Sequence, residues 1–94
     1  MEISISDHAR LRAQRRKVPI DIITSVAISP EQVVYLERGR IVCQSKLFDP
    51  ILGKEMLFRI IVEDKGNIRE VITAYKTSKV GKYWEGDENN ESNL

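Results

Sequence analysis

The chain has 94 residues, with 15 Lys or Arg against 14 Asp or Glu and a single cysteine, which is the size of one domain and leaves no room for a second. No apolar run approaches the roughly 18 residues of a membrane span, residues 1–8 hold neither a basic n-region nor an apolar h-region, and one cysteine builds neither an internal disulfide nor a thiolate zinc cage, so a cytoplasmic chain with no membrane partner is expected. The near-neutral total hides an asymmetry: residues 1–84 hold all 15 basic residues against 10 acids, a net +5, whereas the rest holds Glu85, Asp87, Glu88 and Glu91 and no base.

In chain order, Asp7 is an N-cap residue type followed by helix formers, and Pro19 disfavours helix just before it, so the pattern predicts a first helix over about 7–17. Pro19 suits a first turn, Asp21 complements that end's dipole, and Ile20, Ile23, Val26 and Ala27 recur at helical spacing until Ser29-Pro30, which predicts a second helix over about 19–28. The four β-branched residues Ile20, Ile22, Ile23 and Val26 make a strand the rival assignment there. After Pro30 the texture turns to strand. Residues 32–37 and 41–47 flank the turn Arg38-Gly39-Arg40 as a hairpin, a loop follows over 49–54, residues 56–62 form a buried strand, and residues 68–76 pair back across the turn at 64–67. Residues 77–84 are compatible with a short helix whose Val80, Tyr83 and Trp84 are spaced to cover the sheet. The sum is an α+β fold over residues 1–84, two N-terminal helices packed on a four-stranded antiparallel meander sheet. Residues 85–94 are expected to form an acidic disordered tail, since too little apolar surface is present to offset the entropy of ordering; its role is solubility or the covering of a basic groove.

The phosphate-cradling glycine loops, the HExxH zinc motif and any Cys or His cluster are missing from the sequence, so neither a cofactor nor a metal is expected. What remains is basic. Residues 8–17 hold five Arg or Lys and no acid, and His8 and Arg12 stand i, i+4 on one helix face that Arg15 or Arg16 continues. An imidazole, a side-chain type that moves protons near neutral pH, would then lie beside guanidinium forks. Metal-independent RNA cleavage needs those parts: a base for the 2′-hydroxyl, cations for the phosphate and an acid for the leaving oxygen. A first-turn histidine also serves as an ordinary surface or capping residue, and a charge run as a solvated face.

Arg59 has the strand parity of Leu57 and Ile61 and the opposite parity to Phe58 and Ile60, so it breaks an apolar layer or emerges into a groove. A buried guanidinium calls for an acidic partner or an anionic ligand. On the last strand Val71, Thr73 and Tyr75 are expected on one face and Ile72 and Ala74 on the other; Tyr75 stacks a base or packs in the core. Cys43, alternating with Ile41 and Ser45, reads as a small buried packer.

Ser6-Asp7-His8-Ala9 with Arg12 and Arg16, a second apolar-spaced helix ending near Pro30, and a closing strand Val71-Ile72-Thr73-Ala74-Tyr75 together resemble family 4258 of the domains of unknown function, over about residues 3–84. That family's signature is HAxxR, a second Arg followed by Gly-Ile, and a strand like VxTxY; here Lys17-Val18 replaces Gly-Ile. The family is similar in turn to the RelE, BrnT and barnase-like ribonuclease folds, in which RNA lies across the open face of a curved sheet. The resemblance implies a toxin-like, metal-independent endoribonuclease, acting on RNA free or on the ribosome and neutralised by an antitoxin protein. It implies His8 as general base or acid, Arg12 and Arg16 on phosphate, and Arg59 as a further phosphate or transition-state clamp; Arg15, on the same helix face, is a substrate-binding candidate beside them. It further implies Thr73 and Tyr75 on the terminal strand, Tyr75 stacking a base or relaying a proton, with Ser78 and Lys79 at the groove edge. A non-catalytic RNA-binding module and a protein-interaction module of the same fold stay open beside it.

Overall fold

The structure is a computed structural model and describes residues 1–86; residues 87–94, most of the expected acidic tail, lie outside the described residues. In order the elements are β1 (Glu2–Ile5), α1 (Asp7–Arg15), α2 (Ile20–Ile28), β2 (Gln32–Tyr35), β3 (Arg40–Asp49), β4 (Lys54–Asp64), β5 (Ile68–Thr77) and the one-turn α3 (Val80–Tyr83). The fold is α+β, and β2 to β5 form the expected antiparallel meander. The sheet itself is larger than expected. It is five-stranded and mixed, in the order β1-β5-β4-β3-β2, because β1 adds to the edge in parallel, with Glu2 opposite Ile68 and Ile5 opposite Val71. Four residues with two isoleucines carry too little alternation to announce a strand. Only the pairing with β5, at the other end of the chain, makes it one.

The sheet's layers follow from strand parity. Ile41 and Cys43 of β3, Met56, Phe58, Ile60 and Val62 of β4, and Val71 and Ala74 of β5 are buried under Ala9, Ala13, Ile23, Val26 and Ala27 of the helices. Fully burying a side chain such as Ile23, Phe58 or Ile60 contributes about 1.5–3 kcal/mol each. Strict alternation fails on β5: pairing passes from Ile61 opposite Thr73 to Val62 opposite Val71, leaving Ile72 as the extra residue of a bulge. Val71 therefore turns into the core with Ala74, and the expected grouping of Val71 with Thr73 and Tyr75 does not hold.

The helices lie where they are expected, with α1 ending two residues before the expected 17 and α2 starting one residue after 19. Ser6, not Asp7, caps α1, its hydroxyl accepting from Ala9 N at 3.1 Å. The far end closes in a Schellman turn: Val18 N donates to Ala13 O at 2.9 Å and Lys17 N to Gln14 O at 3.1 Å, with buried Val18 against Ala13. Lys17 takes the left-handed conformation there, at φ 58. Lys76 Nζ then donates to Lys17 O at 2.9 Å and to the buried Asp49 carboxylate, tying this turn to the β3–β4 hairpin. No helix among the described residues is long and apolar enough to cross a membrane.

Candidate functional site

On the sheet face away from α1 and α2, four residues stand directly opposite one another on four successive strands: Gln32 (β2), Gln44 (β3), Arg59 (β4) and Tyr75 (β5). They form one hydrogen-bonded rung. Arg59 Nε donates to Gln44 Oε1 at 2.8 Å, Gln44 Nε2 donates to Gln32 Oε1 at 2.8 Å, and Arg59 Nη1 donates to the Tyr75 hydroxyl oxygen. Arginine has donors only, so it fixes the direction of every bond in the row. Gln44 must turn its oxygen to Arg59 and its nitrogen to Gln32, and the Tyr75 oxygen is spent as an acceptor, which leaves its own proton for another group. Arg59 thus has a neutral amide and a phenol as partners, where an acid or an anion was expected.

The rung is covered from above by the C-terminal segment. Lys79 N donates to Thr77 Oγ1 at 3.0 Å, a side-chain turn that starts α3. The Tyr83 ring then lies 4.3 Å from the Arg59 guanidinium carbon and 6.3 Å, edge-on, from the Tyr75 ring. Lys46 Nζ sits 4.0 Å from the Trp84 ring. Gln44 Nε2 donates to Tyr83 O at 3.2 Å, Glu85 N donates to Gln32 Oε1 at 3.0 Å, and Gln32 Nε2 donates back to Glu85 O. Beneath this cover Gln44 and Leu57 are 0% exposed, although both point away from the main core.

Arg16, just past α1, reaches the same face from the sheet edge: its Nη1 donates to Thr73 Oγ1 at 2.9 Å and to Ala74 O at 3.0 Å. Thr73 and Tyr75 share one face of β5, so Arg16 stands one strand step from the rung. At 100° per residue, His8, Arg12, Arg15 and Arg16 fall within an arc of about 100° on one flank of α1. His8, Arg12 and Arg15 are exposed, as are Ser78 and Lys79 at the start of the cover. His8 lies two turns, about 12 Å along the axis, from Arg16. The structure therefore brings together Arg16 with Thr73 and Arg59 with Tyr75; among the described residues no hydrogen bond or ion pair joins His8 to either pair.

Gln32, Gln44, Tyr83 and Trp84 complete the site. Gln44 was visible in principle, as an uncharged polar residue in the middle of an apolar strand, but its partner came only with the register. Cys43 is fully buried as expected, and burial pushes its thiol up, the nearby Arg69 acting against this. Among the described residues no three His, Cys, Asp or Glu side chains gather as a metal site. Compared with family models, curated proteins and solved structures, the chain matches none of them.

Proposed function

We propose that this chain is a toxin-like, RelE-like endoribonuclease that works without metal in the cytoplasm, on RNA free or on the ribosome, and is held in check by an antitoxin protein. One observation carries the reading: Arg59 and Tyr75 present adjacent donors on a sheet face, with the basic flank of α1 leading to them through Arg16 and Thr73. Arg59 Nη2 makes no hydrogen bond among the described residues, so beneath the Tyr83 cover it and the Tyr75 proton are unspent donors that suit two oxygens of one phosphate. Arg12 and Arg15, exposed and without an acidic partner among the described residues, extend this field along the strand, with Lys79 and Ser78 at its other edge.

In the proposed reaction a base takes the 2′-hydroxyl proton, the 2′-oxygen bonds to the adjacent phosphorus, and the bond from phosphorus to the 5′-oxygen breaks. The products are a 2′,3′-cyclic phosphate and a 5′-hydroxyl, the latter completed by a proton from an acid. Arg59 holds the pentavalent charge, Tyr75 donates or relays a proton, and His8 serves as base or acid. The distance along α1 between His8 and Arg16 favours a second reading, a non-catalytic RNA-binding module that uses the same band and does not need His8. The test is cleavage of a long RNA in EDTA by wild type, His8→Ala and Tyr75→Phe. Cuts bearing cyclic phosphate that both variants lose support the enzyme with these roles. Retention of RNA without cutting, weakening steeply with salt, supports the binding module.

A further inference from the structure

Resting on the RNA reading, we propose that residues 79–86 are a self-occupying cover that competes with RNA for the Arg59–Tyr75 rung. Arg59, Lys46 and Gln44, which the cover engages, are groups an RNA strand would use. The Tyr83 ring lies on the Arg59 guanidinium and the Trp84 ring on Lys46, the places where bases stack on cations. The Tyr83 carbonyl accepts a hydrogen bond from Gln44 Nε2, an acceptor-for-donor match that a phosphate or base oxygen reproduces. The cover ends in a latch, the Glu85 peptide paired in both directions with the Gln32 amide. α3 is a single turn with no fully buried residue, and Lys79 and Lys82 are exposed. Its chain connection to β5 runs through Ser78, just past Thr77, the last residue in the strand pairing of the sheet, so it can lift while the sheet stays intact. The latch residue Glu85 is itself acidic and exposed, and a carboxylate on the cover opposes the approach of a polyanion. RNA affinity is then the intrinsic affinity reduced by the fraction of molecules with the cover raised.

The test uses the full chain with two unlatching variants, Glu85→Pro, which deletes the N–H given to Gln32, and Gln32→Ala, which deletes both latch bonds from the other side together with the acceptor of Gln44 Nε2. Trp84 is the only tryptophan, so acrylamide quenching of its fluorescence reads the cover directly, and a labelled single-stranded oligoribonucleotide reads affinity at fixed salt. Losing a net hydrogen bond predicts roughly fivefold tighter RNA binding in Glu85→Pro, and more in Gln32→Ala, with Trp84 quenched more readily in both. Equal or weaker binding by variants whose Trp84 has become quenchable overturns the cover alone. Trp84 equally shielded in all three proteins overturns the latch. RNA retained by none of the three, with Trp84 exposed in the variants, overturns the RNA reading and this inference with it.

Discussion

Gln44 and Arg59 face each other across β3 and β4, and the 2.8 Å bond from Arg59 Nε to Gln44 Oε1 is what lets a guanidinium sit in the sheet without a carboxylate. Gln44→Leu keeps the volume and removes the acceptor. The part-buried Nε is then left unsatisfied, the Tyr83 carbonyl loses its Gln44 donor, and Gln32 keeps only its bonds to Glu85. Such a loss costs about 1–3 kcal/mol, to be seen as a lower urea midpoint with an unchanged m-value.

Lys17 pays a steric penalty at φ 58 for closing α1 and delivering Arg16 to Thr73. Lys17→Gly keeps the carbonyl that Lys76 uses and removes that penalty, while adding some chain entropy to the unfolded state. The net expectation is a gain of about 0.5–1 kcal/mol, measured by the same urea titration. Lys17→Ala, which retains the Cβ, gains nothing.

Asp49 accepts from Lys76, and that hydrogen bond holds its carboxyl below the usual range against the opposing effect of burial. With the folded value depressed, the stabilisation is complete above the unfolded value of about 3.9 and is lost as pH falls through the folded one. Asp49→Asn should therefore melt below wild type at neutral pH, and the gap should close only at pH below about 4. A gap in melting temperature that stays constant down to pH 2 would contradict this.

Cys43 is buried, and its raised thiol disfavours the reactive thiolate. Native protein should not react with a thiol reagent at pH 8, and one thiol per chain should appear in denaturant. Prompt labelling of the native protein would show that the α2–β3 packing opens.

Local signals carried the helices and the meander into the sequence reading, because Pro19, Pro30 and the glycine turns interrupt clear periodicities. Three features needed information that no window holds. β1 is a strand only by virtue of β5, Val71 faces the core only because a bulge at Ile72 inverts parity, and Arg59's partners depend on the register of three strands. The candidate site was legible as an inventory of residue types. Arg59, Tyr75, Thr73 and Arg16 do meet in two pairs, but the glutamines linking the rung to the cover have no chemical motif, since their role comes entirely from where the strands place them.

The most direct measurement is RNA cleavage in EDTA by wild type, Arg59→Gln and Tyr75→Phe, with the 3′ ends analysed. The account predicts 2′,3′-cyclic phosphate ends from wild type and a loss of at least about 100-fold in rate for each variant. Cleavage undiminished in both variants would contradict the placement of the reacting phosphate at the Arg59–Tyr75 rung.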